Sequence, residues 1–320
     1  MDGYLHKPVK TAELKKTIEL VMGAAQQDDK RPRNLVTRHT LAENHRQHIR
    51  ILLAEDYPTN QQVALHHLTR AGFTVDLAEN GQAALDLYQI QAYQLILMDM
   101  QMPEMDGYEA TEAIRRLEAK QGALGNESVR TPIIAVTAHS MEGDREKCMQ
   151  VGVDDYIAKP LRKKDLLAMV EKWTGGTAAE QTPPSKAVTP AAPSAEAPLD
   201  LERALSEFDD DRDFFMEVLD GFLANLVDQR AAIDNALAAG DASVIEDTAH
   251  AIKGGAANLT AESLARSAFD LETLARSGAL AEAGSVLEQL DSQVVQLASY
   301  TTEIQNDTKQ EDGYEPAHSG

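Results

Sequence analysis

The chain has 320 residues, room for about two domains of ordinary size, and a net charge of −22 from 30 basic and 52 acidic side chains. That acidity argues against nucleic acid or an anionic membrane as the main partner, and no apolar run reaches the roughly 18 residues needed to cross a bilayer. Hydrophobic residues are 43% of the chain but aromatics only 5%, so its cores are aliphatic. The single cysteine, Cys148, excludes an intrachain disulfide and, with no signal-peptide pattern at the start, suits the cytoplasm.

In chain order, the first feature is a repeat. Residues 1–22 align with 153–174 at a constant offset: Asp2 with Asp154, Tyr4 with Tyr156, Lys7 with Lys159, Pro8 with Pro160, Leu14 with Leu166 and Glu19 with Glu171. They read as the truncated last strand and helix of a second copy of the domain at 50–173, so the chain is expected to be a piece of a longer protein. Residues 23–49 are polar, with weak periodicity, and read as a linker.

Residues 50–173 alternate short apolar runs with amphipathic stretches. The runs are Ile51–Ala54, Phe73–Leu77, Leu95–Met98, Ile133–Val136 and Tyr156–Ala158; helical spacing appears near 60–70, 81–91, 107–119, 141–151 and 163–173. Five strands alternating with five helices predict an α/β doubly wound parallel sheet covered on both faces. Residues 174–198 contain Pro183, Pro184, Pro190, Pro193 and Pro198 among Ala, Ser and Thr, which predicts a semi-extended tether.

Beyond the tether, residues 199–305 show only helical signal. Phe215, Leu219, Phe222, Leu226, Ile233 and Leu237 share one face, Gly240-Asp241 reads as a stop followed by an N-cap, and further helices are expected to Leu259, over Glu262–Ala275 and through Val286, Leu290, Val294 and Leu297. The pattern predicts an all-α antiparallel four-helix bundle. Residues 306–320 are expected to be disordered.

In a parallel α/β sheet, ligands sit beyond the carboxyl ends of the strands. There the first strand runs into Glu55-Asp56, the third into Asp99, the fourth into Thr137 beside Ala138, and the fifth into Lys159-Pro160. Clustered carboxylates repel and call for a divalent cation; all-oxygen ligation suits Mg²⁺. A carboxylate beside that ion can attack phosphorus and form an aspartyl phosphate, a lysine can offset the transferred charge, and a threonine hydroxyl can hydrogen-bond a phosphoryl oxygen. Taken singly, such residues are often solvated loop groups; the ordered set is far more specific.

AEDYPTN, LILMDMQMPEMDGYEA, PIIAVTAH and DDYIAKP, so spaced, resemble a response-regulator receiver domain over about residues 49–173. The resemblance implies a flavodoxin-like sheet of order 2-1-3-4-5 with Asp99 as phosphoacceptor. It implies Mg²⁺ held directly by Asp56, Asp99 and the backbone carbonyl of Gln101, with Glu55 acting mainly through water. Thr137 and Lys159 would contact the phosphoryl group, and Tyr156 would move inward with Thr137 as a switch. Two departures are a Glu-Asp acid pair in place of Asp-Asp and Tyr57 after it, at a position that tolerates variety. The repeat at 1–22 keeps Lys7-Pro8 but no acid pair and no phosphoacceptor, and is expected to be inert.

In the helical region, Ile245, Ala249, Ile252, Ala256 and Leu259 share an inward face, and His250 lies about 140° from its middle, which points it to solvent. Lys253 and Gly254 are its i+3 and i+4 neighbours. A mid-helix glycine costs about 1 kcal/mol relative to alanine, which access of another protein's site to the imidazole would justify. Imidazole is a competent nitrogen nucleophile near neutrality, and Lys253 can steady the phosphoryl group. AHAIKGGAANL resembles the active helix of a histidine-containing phosphotransfer (HPt) domain over about 199–305, and AFDLETLARSG is similar to the same family. Thr260 stands where a glycine often closes the motif. His45, His48, His66 and His67 have no metal-binding pattern around them, Cys148 reads as a packed or half-exposed helix residue, and Asp209-Asp210-Asp211 reads as a solvated helix start.

Together the resemblances imply the C-terminal part of a hybrid sensor histidine kinase. Asp99 would receive a phosphoryl group from an upstream kinase histidine, and His250 would relay phosphoryl between receivers to a downstream regulator. No glycine-rich ATP site supports autonomous kinase activity, and no basic helix-turn-helix supports DNA binding. As a flexible coil the tether spans on the order of 28 Å, enough for docking of receiver and bundle within one chain.

Overall fold

The computed structural model describes residues 46–123, 130–137, 142–175 and 197–312. The repeat at 1–22, the linker to residue 45, Ala138, most of the tether and the tail beyond 312 lie outside the described residues.

Five strands form one parallel sheet: β1 (Arg50–Ala54), β2 (Thr74–Ala78), β3 (Leu95–Asp99), β4 (Ile133–Thr137) and β5 (Asp155–Ala158), in the order β2-β1-β3-β4-β5. The expected order is the observed one. Helices α1 (Pro58–Arg70), α2 (Gly81–Ile90), α3 (Gly107–Ala123), α4 (Glu142–Gln150) and α5 (Lys163–Trp173) follow the strands in turn. Side chains of a strand alternate between faces. Leu52 and Ala54, Ile96 and Met98, and Ile133 and Ala135 join the core on one side of the sheet. Ile51 and Leu53, Leu95 and Leu97, and Ile134 and Val136 join the other. The central strands are therefore apolar along their interiors, with Asp99 and Thr137 only at their carboxyl ends, as strands covered on both faces must be.

Among the boundaries that differ from expectation, two have a clear physical cause. The second strand starts one residue late because the Phe73 amide donates to the Leu68 carbonyl in the turn that ends α1. Residues 46–49 belong to the sheet domain rather than the linker: Ile49 is buried, and Arg46 pairs with Glu171 while its guanidinium lies 5.7 Å from the Phe73 ring centroid.

The second half is helical: α6 (Leu201–Glu207), α7 (Arg212–Ala239), α8 (Ala242–Asn258), α9 (Glu262–Ser277), a 3₁₀ turn at Leu280–Glu282, and α10 (Ala283–Asp312). Asp200, Asp211 and Asp241 cap α6, α7 and α8, each accepting from the third amide of its helix. Gly240 and Gly278 close α7 and α9 at φ +72° and +74°. Helix α10 runs on to Asp312, past the bundle end expected at 305, and Ile304 near that point is still buried.

The two halves are packed together through α1. Its Ala64 and Leu68 face the sheet, while Val63, with Tyr57 just before the helix, joins the bundle core around Phe222, Ile252 and Ala256. An amphipathic helix has one apolar stripe; α1 has two, because each side meets a different domain.

Candidate functional site

β1 and β3 are paired side by side, so the acid pair after one strand meets the last residue of the other. Oxygens of Glu55, Asp56 and Asp99 lie within 4.8 Å of one another. Glu55 and Asp99 are buried, and Asp56 is half-buried. The Lys159 ammonium sits between them, 2.6 Å from Asp99 Oδ2 and 2.9 Å from Glu55 Oε2. The Gln101 amide donates to Asp99 Oδ1 at 3.1 Å, which places the Gln101 backbone at the edge of the cluster. The loop is held in by Gly107, where a Cβ would lie 2.1 Å from the Asp99 carbonyl oxygen. Thr137 ends β4 next to Asp99, which pairs with Val136, and Tyr156 packs on the α3–α4 side of the sheet.

Crowding and burial set the electrostatics. Burial first, then the Glu55 charge, pushes Asp56 up to about 6, with Lys159 opposing. Burial likewise pushes Asp99 up, against the downward pull of Lys159, and the two buried carboxylates hold Lys159 firmly protonated despite its own burial. Among the described residues, one ammonium thus faces three carboxylates. Three convergent oxygen donors, of which Asp56 and Asp99 have their ionised forms disfavoured, fit a hard divalent cation such as Mg²⁺.

The second group of residues is built on the bundle. Packing of α8 against α9 sets His250 Nδ1 3.0 Å from Glu272 Oε1 and Lys253 Nζ 2.5 Å from Glu272 Oε2, with Arg276 Nη2 2.8 Å from the same carboxylate. Glu272 is fully buried. Burial alone would raise its pKa, but the hydrogen bonds from His250 and Lys253 hold it at about 2. A carboxylate can only accept, so Nδ1 of the neutral imidazole carries the proton and Nε2 carries the lone pair. Burial, followed by Lys253 and Lys159, lowers the His250 pKa against the Glu272 hydrogen bond, which keeps the ring neutral and nucleophilic at pH 7.

His250 does not point to solvent as its helical position suggested. Its side chain is 11% exposed, because the outward face of α8 is covered by the sheet domain. Gly254 and Gly255 line that contact. A Cβ on Gly254 would be 3.2 Å from Asn60 Nδ2, and one on Gly255 would be 2.6 Å from a Tyr57 ring carbon and 2.7 Å from Phe222. Tyr57 is buried and its hydroxyl donates to Gln229 at 3.3 Å, so the position after the acid pair is a packing residue here. Further along α1, His66 stacks on Phe214 at 4.2 Å and His67 lies beside Phe208. The acidic run is not simply solvated either: Asp209 pairs with Lys163 and Asp211 with Arg70 across the same junction.

The sequence-predicted groups therefore gather into two sets, Glu55, Asp56, Asp99, Gln101, Thr137 and Lys159 on one side and His250, Lys253 and Gly254 on the other. The two sets lie within electrostatic reach of each other. Lys159 contributes to the lowering at His250, and Asp247, one turn before it on α8, adds to the rise at Asp56 after burial and Glu55. Glu272, Asn60 and Asn258 were not foreseen. The signal for Glu272 was a lone acid four residues after Ala268, on the apolar stripe of α9. Thr260 adopts φ +59°, the left-handed conformation for which glycine is favoured, and its hydroxyl donates to the Asp200 carbonyl at 2.8 Å.

Residues 51–171 match the response regulator receiver domain family, and residues 217–300 match the Hpt domain family. The sensor histidine kinase GacS of Pseudomonas protegens is 32% identical over 78% of this chain and 27% of its own length. The sensor protein GacS of Pseudomonas syringae pv. syringae is 33% identical over the same shares. This chain thus spans about a quarter of the length of those curated relatives. Among solved structures, the receiver domain of a Pseudomonas aeruginosa sensor histidine kinase is 41% identical over 40% of this chain and 98% of its own, with a TM-score of 0.35.

Proposed function

The chain joins a response regulator receiver domain to an Hpt domain, the pairing of phosphorelay signalling, and on that premise we propose that Asp99 and His250 are its two phosphoryl-carrying residues. One observation carries the reading: the helix that bears His250 is seated on the receiver beside the acid cluster, with Gly254 and Asn258 against Asn60, which itself donates to Glu55, and with the Lys159 charge reaching the imidazole.

Loading starts at Asp99. A carboxylate oxygen attacks the phosphorus of an upstream phosphohistidine, the P–N bond breaks, and the histidine nitrogen keeps the electron pair. Asp56, Asp99 and the Gln101 carbonyl, with Glu55 behind them, would hold Mg²⁺, which when bound offsets charge on the phosphoryl oxygens. Lys159, already 2.6 Å from Asp99 Oδ2, supplies a fixed cation to the new acyl phosphate. Thr137 would hydrogen-bond a phosphoryl oxygen, and Tyr156 would follow it inward.

Relay uses the other set. Nε2 of neutral His250 attacks the phosphorus, the bond to the Asp99 oxygen breaks, and the carboxylate leaves with the pair. The ring keeps its Nδ1 proton and turns cationic, and the buried Glu272 carboxylate stabilises that charge. Lys253 stands by for the phosphoryl oxygens, and Gly254 leaves room for the receiver. Downstream, the bundle would pass the group to another receiver in the cytoplasm. We assign residues 46–173 to the receiver, 174–198 to the tether and 199–312 to the phosphotransfer bundle.

The test is labelling from a small acyl-phosphate donor with Mg²⁺. Asp99→Asn should take up no label, and His250→Gln should load normally at Asp99 but pass nothing on. Label of aspartyl-phosphate stability in Asp99→Asn would refute the assignment.

A further inference from the structure

Two buried amides cross the junction between receiver and bundle. Asn60, on the first turn of α1, is 3% exposed, and Asn258, at the end of α8, is 8% exposed. Asn60 Nδ2 donates to Glu55 Oε1 at 2.8 Å, and Asn258 Nδ2 donates to Asn60 Oδ1 at 2.8 Å. Asn258 Oδ1 in turn accepts the Leu161 amide at 3.2 Å. Leu161 is two residues after Lys159, whose ammonium returns to Glu55 Oε2 at 2.9 Å. The bundle amide therefore closes a ring, made of hydrogen bonds and the short backbone stretch from Lys159 to Leu161, whose other members, Glu55, Asn60, Leu161 and Lys159, all belong to the receiver.

This arrangement is selective by its chemistry. An amide offers a donor and an acceptor in fixed directions, and a buried one that loses a partner forfeits affinity. A receiver with an apolar group or a cation at position 60 would leave Asn258 Nδ2 unpaired or repelled. Gly254 lies against the same amide, since a Cβ there would be 3.2 Å from Asn60 Nδ2 and would press on it. The pair also touches the acid site itself through Glu55, so seating of the bundle and alignment of the acid pair are one event.

We propose that Asn60 and Asn258 form a specificity-determining pair that selects the receiver from which the bundle takes its phosphoryl group, and that in this chain the pair selects its own receiver. The proposal rests on transfer from Asp99 to His250. Asn258 touches neither reacting atom; it is a positioning residue that acts through Asn60.

The experiment uses the full chain, loaded from a small acyl-phosphate donor, with the time course of label on Asp99 and His250 followed by mass spectrometry. Asn258→Ala should load Asp99 at the parent rate and transfer to His250 about tenfold more slowly or worse, the scale of one buried hydrogen-bond partner lost. Asn258→Asp keeps the size and the Leu161 bond but loses the donor to Asn60; it should slow transfer as well, with the bundle's melting temperature kept. Asn60→Ala should slow transfer, and Asn60→Ala with Asn258→Ala should be no slower than the worse single variant, because a pair acting as one unit is lost once. Parent-like transfer in Asn258→Asp, or effects that multiply in the double variant, would overturn the pairing. Failure of the underlying reading looks different: the parent chain itself would then show no label on His250, and the pairing would fall with it.

Discussion

Replacing Glu272 by glutamine removes the charge of this side chain and keeps its shape. Glu272 is fully buried and accepts from Lys253, Arg276 and His250. Burial by itself would raise its pKa; the hydrogen bonds from His250 and Lys253 outweigh that and bring it from 4.5 to about 2. A carboxyl that is more acidic in the folded state stabilises the fold above its unfolded pKa, and the stabilisation is lost as pH falls through the folded value. A difference of about 2.5 pH units corresponds to about 3 kcal/mol at 1.36 kcal/mol per unit, of which about 2 kcal/mol is lost between pH 7 and pH 3. Urea unfolding of the parent and Glu272→Gln at steps between pH 3 and pH 7 reads this directly. The parent should be more stable by about 3 kcal/mol at pH 7, and the gap should narrow to about 1 kcal/mol at pH 3. In the same variant, transfer to His250 should fall by about 10–100-fold, the usual loss when an imidazole loses its orienting partner. A gap that stays constant with pH, or no gap, would refute the reasoning that these donors hold the carboxylate ionised.

Mg²⁺ should raise the melting temperature of the receiver, and Asp56→Asn should abolish that response in calorimetry, since Asp56 is one of the three convergent donors. Gly255→Ala should cost about 1–3 kcal/mol by thermal unfolding, because its methyl would lie 2.6 Å from Tyr57 and 2.7 Å from Phe222. Cutting back Tyr57 to alanine in that background should not recover the loss, because Phe222 lies in the bundle core. Thr260→Gly should leave stability nearly unchanged, since relief of left-handed strain of about 1–2 kcal/mol offsets a hydroxyl bond of about 0.5–1.5 kcal/mol. Thr260→Val keeps the strain and loses the bond, and should melt lower than both.

The strands were legible because both-face burial writes continuous apolar runs such as Leu95–Met98, whereas their order was legible only through the resemblance to receiver domains. Helix limits were legible where chemistry marks them, as at Gly240-Asp241. What single-domain patterns conceal is the junction. The position of His250 relative to its own helix correctly placed it outside the bundle core, but what covers that outer face is another domain, which no periodicity within α8 reveals. Tyr57 looked interchangeable because its partners Gln229 and Gly255 are about 170 and 200 residues away in the chain. Asn60 and Asn258 were silent for the same reason, as polar residues whose roles exist only once the two domains meet. The acids at 209 and 211 looked solvated because their partners, Lys163 and Arg70, lie on the other side of the tether.

The most direct measurement is a pulse and chase on a single preparation of the full chain. Asp99 is loaded with a brief pulse of acyl-phosphate donor, the donor is removed, and the phosphorylated residue is identified by mass spectrometry over time. Label should appear first on Asp99 and then on His250, as a base-stable, acid-labile phosphohistidine, at a rate independent of protein concentration because donor and acceptor sit in one molecule. Label that never reaches His250, or reaches it without passing through Asp99, would contradict the assignment of these two residues as successive carriers.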